Sequence, residues 1–217
     1  MGWARTEKNA LVDTLRRTDP GADTLCTGWS TRRLLAHLVV REQDVLASLG
    51  DAVGRAEPGE EKYLGRLVDG AQTPEGYAAL VDRFVAGPPR WSPMSWATEQ
   101  INLLEYVVHH EDVRRGGTSP AEPRTLPPAQ DKAVWKQLPL VSRLGFRRSP
   151  VPVVLTRPDG ATARVGARRQ DAGGEVVLTG EPVELALYVM GRRAAAHVQV
   201  SGPPAAVDAF QSWVAST

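Results

Sequence analysis

The chain has 217 residues, 42% of them hydrophobic and 24% charged, and its 26 basic and 25 acidic side chains leave a formal net charge of +1. That length supports one large domain or two small ones with a real core, and the even charge balance excludes the basic footprint of a nucleic-acid binder. A single cysteine, Cys26, excludes an internal disulfide framework. With no apolar run long enough to span a bilayer and no signal-peptide pattern at the N-terminus, the expected setting is the cytoplasm.

Residues 3–18 read as a first helix with Ala4, Leu11, Val12 and Leu15 on its inner face, ended by Asp19-Pro20-Gly21. Ser30 is a good N-cap for a second helix over 31–49, and Trp29 before it is placed to staple onto Leu34. Leu34, Leu38, Val45 and Leu49 make the stripe of that helix, with His37 at its edge and Arg41 and Asp44 on the same flank. Residues 50–72 read mostly as loop, with a short helix near Tyr63–Val68. Thr73-Pro74-Glu75 starts a third helix bearing Tyr77, Leu80, Val81 and Phe84, and Gly87-Pro88-Pro89 stops it. A fourth helix follows Trp96 and runs to Arg115, with Arg114 and Arg115 suited to its negative end.

The pattern changes after residues 118–128, a stretch with four prolines that reads as a linker. A helix over 129–144 opens the second part. Residues 151–156 and 161–165 alternate around Arg157-Pro158-Asp159-Gly160 and read as a β-hairpin. Strands over 175–179 and 197–201 and helices over 181–190 and 203–214 complete it. The expectation is an α+β multidomain chain: a four-helix bundle at 1–117, the linker, and a small α+β domain at 129–217.

The fourth helix holds the chemistry. Glu105 and His109 are four apart, and Asp112 follows three later, so all three stand on one face beside the apolar stripe. A carboxylate and an imidazole turned toward a core need compensation, and a divalent cation supplies it. His37 from the second helix joins them as a candidate third ligand, leaving a fourth position open in the manner of a catalytic zinc. The competing reading of the same residues is a surface Glu105–His109 pair with His37 as a satisfied core-edge histidine. Asp112 reads either as a partner orienting a ligand histidine or as a helix-end salt bridge to Arg115. His110 lies off this face and reads as a packing or rim residue. Arg41 reads as a surface arginine, and Cys26, with no basic neighbour in sequence, as a packed thiol.

The segment 24–42, with Gly28-Trp29-Ser30 followed by Leu34-x2-His37, resembles the second-helix signature of the DinB-like, mycothiol-dependent maleylpyruvate isomerase superfamily. Glu105-x3-His109-x2-Asp112 resembles its fourth-helix signature, and the stretch from Glu181 to Gly191-Arg192 resembles the ending of its C-terminal α+β domain. The nearest resemblance is to an actinobacterial subfamily of metal-binding proteins, carried by Leu25-Cys26-x-Gly28-Trp29 and by the run from His109 to Arg115. The resemblance implies a DinB-like bundle and Zn2+, or another divalent metal, held by His37, Glu105 and His109. It implies mycothiol as cosubstrate and an arginine, Arg192 or its neighbour Arg193, meeting an anionic substrate. It also implies isomerisation or S-transfer on a small electrophile by a monomer or homodimer, with no nucleic acid or membrane as partner. The sequence departs from the family where an aromatic usually follows the second metal histidine. His110 and Glu111 stand there instead, which is expected to change the substrate rim. A hydrolase using zinc-bound water with Asp112 as general base, and a non-enzymatic binding protein, are the competing functions.

Overall fold

The computed structural model describes residues 2–43, 62–88, 99–117, 121–165 and 173–216. Asp44 and the end of the expected second helix lie outside them. The chain divides into two compact units, residues 1–122 and 123–217.

In the first unit the described helices are α1 (Trp3–Arg17), α2 (Thr31–Gln43), α3 (Lys62–Gly70), α4 (Pro74–Ala86) and α5 (Glu99–Arg115). Their starts follow local chemistry. The Ser30 hydroxyl accepts from the Arg33 N–H at 3.3 Å, and the Thr73 side chain accepts from the Gly76 N–H at 3.1 Å with Pro74 opening the helix. α1 packs mainly on α5, and α2 on α4 and α3. Leu11, Leu15, Leu34, Leu35, Leu38, Phe84, Val107 and Val108 are fully buried between them. Burial of each such side chain stabilises the fold by about 1.5–3 kcal/mol before conformational entropy is counted.

Polar groups line one seam of this core. The Lys8 ammonium donates to Glu42 Oε2 at 2.8 Å and sits 4.4 Å from the centre of the Phe84 ring, while the Tyr106 hydroxyl donates to Glu42 Oε1. Glu42 is only 2% exposed, so these two donors are what make its burial tolerable.

The second unit begins with α6 (Pro128–Gly145), which carries Pro139 within it. It continues through β1 (Val153–Thr156), β2 (Thr162–Arg164), β3 (Val176–Thr179), α7 (Pro182–Val189), β4 (Gln199–Ser201) and α8 (Pro204–Ala215). The sheet order is β2-β1-β3-β4, with β1 and β3 parallel and both outer pairs antiparallel. The central strands β1 and β3 bury Val153, Leu155, Val176 and Leu178 completely, as expected for strands covered by helices. Phe146, Phe210 and Trp213 cluster with ring centres 5.8–6.2 Å apart. The Arg157 guanidinium, at the start of the hairpin turn, donates to Asp131 of α6 at 2.9 Å. The chain is therefore a mixed α+β protein of helices followed by a small sheet. Among the described residues no helix is long and apolar enough to cross a membrane.

Candidate functional site

The site is built where the loop before α2 meets the C-terminal half of α5. That loop is a closed turn. The Trp29 N–H donates to Cys26 O at 2.9 Å, the Thr24 N–H donates to Trp29 O at 3.1 Å, and Gly28 takes a left-handed φ of 76° that a side chain would disfavour. The loop is pressed onto the helix end: the Leu25 N–H donates to Asp112 O at 3.0 Å, and a Cβ on Gly116 would stand 2.1 Å from Thr24 Cα. Cys26 is thereby delivered to α5, and its Sγ donates to Asp112 Oδ2 at 3.2 Å.

His109 is the hub. Its Nδ1 lies 2.8 Å from Asp112 Oδ2 and its Nε2 lies 3.5 Å from Glu105 Oε2, so the two ring nitrogens face opposite carboxylates. The His37 ring stands edge-on to the His109 ring with centres 5.4 Å apart, and Trp29 stands edge-on to His37 at 5.3 Å. Trp29 thus packs against His37. Ligand atoms of Cys26, His109 and Asp112 lie within 4.8 Å of one another, the spacing of groups able to share a cation. His109 and Asp112 are buried, while Glu105 and His37 are half-buried on the more open side.

Charge follows this geometry. Burial works against an imidazolium at His109, but hydrogen bonds to Asp112, Cys26 and Glu105 outweigh it and push His109 up to about 10. Burial also works against a charged Glu105. Its hydrogen bond with His109, with the Arg41, His109 and His37 charges, outweighs that and holds it below the usual carboxylate range. In the absence of a cation, a proton shared around His109 compensates the two acids.

Several residues sit elsewhere than the sequence suggested. Arg41 is no surface arginine: its side chain is 17% exposed, its Nε lies 3.5 Å from Glu105 Oε2, and it donates to Asn102 Oδ1 at 3.1 Å. Arg115 pairs with Glu111 at 2.5 Å, and Arg114 reaches the same carboxylate at 2.8 Å. His110 and Glu111 are 4% and 0% exposed, so they form internal pairs and no substrate rim. His110 Nδ1 contacts Glu7 Oε1 at 2.7 Å and its Nε2 contacts the Thr14 hydroxyl at 2.8 Å. Cys26, read from sequence as mere packing, is part of the polar cluster; its partner lies 86 residues away, where no local pattern points to it. Arg192 belongs to the second unit, where its guanidinium donates to Met190 O at 2.6 Å, and Arg193 donates to Val214 O at 2.9 Å.

Nothing among the curated proteins matches the sequence. Two solved structures are similar to it. One is described as the crystal structure of the mycothiol-dependent maleylpyruvate isomerase, at 17% identity over 92% of this chain and 90% of that one, with a TM-score of 0.40. The other is a histidine-to-alanine mutant of that enzyme, at 19% identity over the same shares, with a TM-score of 0.39. Residues 3–114, just over half of the chain, match the family described as the mycothiol maleylpyruvate isomerase N-terminal domain, and the chain belongs to that family.

Proposed function

We propose that the protein is a metal-dependent enzyme that activates a low-molecular-weight thiol, mycothiol by family, for addition to a small electrophilic substrate. The observation that carries this reading is the environment of His109. One nitrogen is fixed by a buried carboxylate, and the other is turned toward Glu105 beside the half-buried His37. A histidine whose far nitrogen is held by Asp112 is locked in the tautomer that offers Nε2 as a ligand. Two imidazoles and a carboxylate are a donor set suited to a borderline cation such as zinc.

In this reading His37, Glu105 and His109 hold the cation, Asp112 orients His109, and Arg41 offsets the charge of Glu105. The cation, when bound, supplies the positive charge that favours a thiolate over a thiol at neutral pH. The thiol proton leaves to solvent, the sulfur bonds to the electrophilic carbon, and the π electron pair moves onto the conjugated carbonyl as an enolate. If the enolate pair re-forms the double bond and expels the thiolate after rotation about the former double bond, the net reaction is isomerisation. If the α carbon instead takes a proton from solvent, the thiol stays and the net reaction is S-transfer. A hydrolase is less well supported, because it needs Asp112 as a general base, and that carboxylate is fully buried and already accepts from Cys26 and His109.

The test follows both substrate isomerisation and thiol consumption, measured with mycothiol and a panel of α,β-unsaturated acids, on zinc-loaded and chelated protein. The expected result is turnover that requires both mycothiol and zinc and that is lost in His37→Ala. Ester or amide turnover without any thiol, or stoichiometric zinc retained by both His37→Ala and His109→Ala, would overturn the reading.

A further inference from the structure

A cavity of about 450 Å³ opens between the C-terminal end of α1, the start of α2 and the first turns of α4, all within the first unit. It shares no lining residue with the cluster around His109. Its walls are largely apolar: Pro20, Pro74, Tyr77, Ala78 and Val81. The volume is in the range of pockets that enclose small organic ligands, which run from about 300 to 1,000 Å³.

One charged group in this wall has no acid paired with it. Arg32 lines the cavity, and among the described residues its guanidinium makes no ion pair; its Nε is buried behind the wall, which leaves the terminal nitrogens to meet a ligand. The nearby acids are committed elsewhere. Asp82 pairs with Arg16 at 3.4 Å on the exposed rim, and Asp19, also exposed, accepts from the Gly21 N–H at 2.6 Å. The Tyr77 hydroxyl donates to Leu15 O at 3.0 Å. Burial pushes that phenol up to about 12 against the pull of Arg32, so it supplies no negative charge. The positive end of α4 also faces the cavity through Thr73 and Pro74. A guanidinium beside apolar walls matches a planar carboxylate better than any other common anion except phosphate. The apolar walls and the modest volume leave little room for a hydrated phosphate ester.

We propose that this cavity is a second ligand site for a small amphipathic monocarboxylate, its acid group on Arg32 and its hydrocarbon or aryl body against Pro20, Pro74, Tyr77 and Val81. The site is separate from the metal-binding face in both residues and chemistry.

The experiment uses the full chain and two probes, 4-phenylbutyrate and its neutral amide, followed by saturation-transfer NMR and calorimetric titration. The expected result is saturable binding of the acid, with the amide weaker by about tenfold or more, the loss of one charge-assisted hydrogen bond. Arg32→Met should weaken the acid by a similar factor. Among the described residues Arg32 Nε has no hydrogen-bond partner, so this substitution should leave the melting temperature nearly unchanged. Ala78→Phe, at an exposed position on the cavity wall, should block both probes. His37→Ala should bind the acid as the parent does. Equal binding of acid and amide, acid binding unchanged in Arg32→Met or Ala78→Phe, loss of binding in His37→Ala, or no saturable binding of the acid would each overturn the proposal.

Discussion

His109 and His110 are neighbours in sequence and both are buried, yet they face different worlds. One residue along a helix is a turn of about 100°, enough to point two identical side chains at different partners. His110 looks toward α1, where Glu7 and Thr14 engage both of its nitrogens, and the Thr14 hydroxyl donates a hydrogen bond to Ala10 O at 3.1 Å. That chain of bonds is closed. His109 looks toward the loop and α2, where Asp112 holds one nitrogen firmly and Glu105 stands at a looser 3.5 Å from the other. The comparison teaches that burial alone does not separate a structural histidine from a candidate ligand. What separates them is whether the second nitrogen is already satisfied and what half-exposed groups surround it.

The sharpest way to break this comparison is to truncate the two histidines separately. His109→Ala is expected to abolish stoichiometric zinc binding, measured by elemental analysis, while the fold persists by circular dichroism. His110→Ala is expected to do the reverse: zinc is retained, and unfolding in urea shows a loss of about 3 kcal/mol, since Glu7 loses its 2.7 Å partner inside the core. Zinc loss in both variants, or stability loss only in His109→Ala, would invert the assignment.

A smaller effect is expected at Asp112. Asp112→Asn keeps the shape but no longer fixes the His109 tautomer, and zinc affinity by competition with a chromophoric chelator should fall by about 10–100-fold. An unchanged affinity would show that the 2.8 Å contact does not orient the ligand nitrogen.

The proton on His109 gives a pH signature. Its value in the folded chain, about 10, lies above the ordinary 6.5. The associated stability is therefore fully present below about pH 6.5 and is lost as pH climbs through 10. Thermal melts of the chelated protein should show a decline over that window that disappears in His109→Ala. The same proton competes with a metal, so zinc affinity should rise as pH increases across it. The smallest change is expected from Cys26→Ser, whose hydroxyl can still donate to Asp112. A shift in zinc affinity of no more than a few-fold keeps Cys26 as a supporting donor, whereas collapse of metal binding in this variant would move the cation to the Cys26–His109–Asp112 side of the ring.

Much of the fold was legible because its signals are local. The spacing of Leu11, Val12 and Leu15, the Thr73-Pro74 start and the turn at Arg157-Pro158-Asp159-Gly160 each depend on residues within one or two turns of each other, and the helices and strands follow them closely. The alignment of Glu105, His109 and Asp112 on one face was readable for the same reason. The Cys26–Asp112 bond, the engagement of Arg41 with Glu105 and the pairing of His110 with Glu7 were not. Each joins segments 64 or more residues apart, and a charged or polar side chain carries no mark in sequence of the partner that will neutralise it. Arg115 shows the limit within a single helix. Both Asp112 and Glu111 lie at allowed spacings and both are fully buried, so spacing gives no sign that Glu111 is the acid that takes the Arg115 guanidinium at 2.5 Å.

Gly116 gives the arrangement an unexpected point of vulnerability. Thr24 Cα occupies the space any other residue's first carbon would need, so the hydrogen bonds that hold the cysteine-bearing turn on α5 depend on an atom that is missing. A substitution there removes no donor or charge and leaves every candidate ligand in the sequence, yet it levers Cys26 off Asp112 and loosens the far side of His109. Inactivating changes in such a protein need not map to its ligands; a single added methyl group at a helix terminus is enough to detune them.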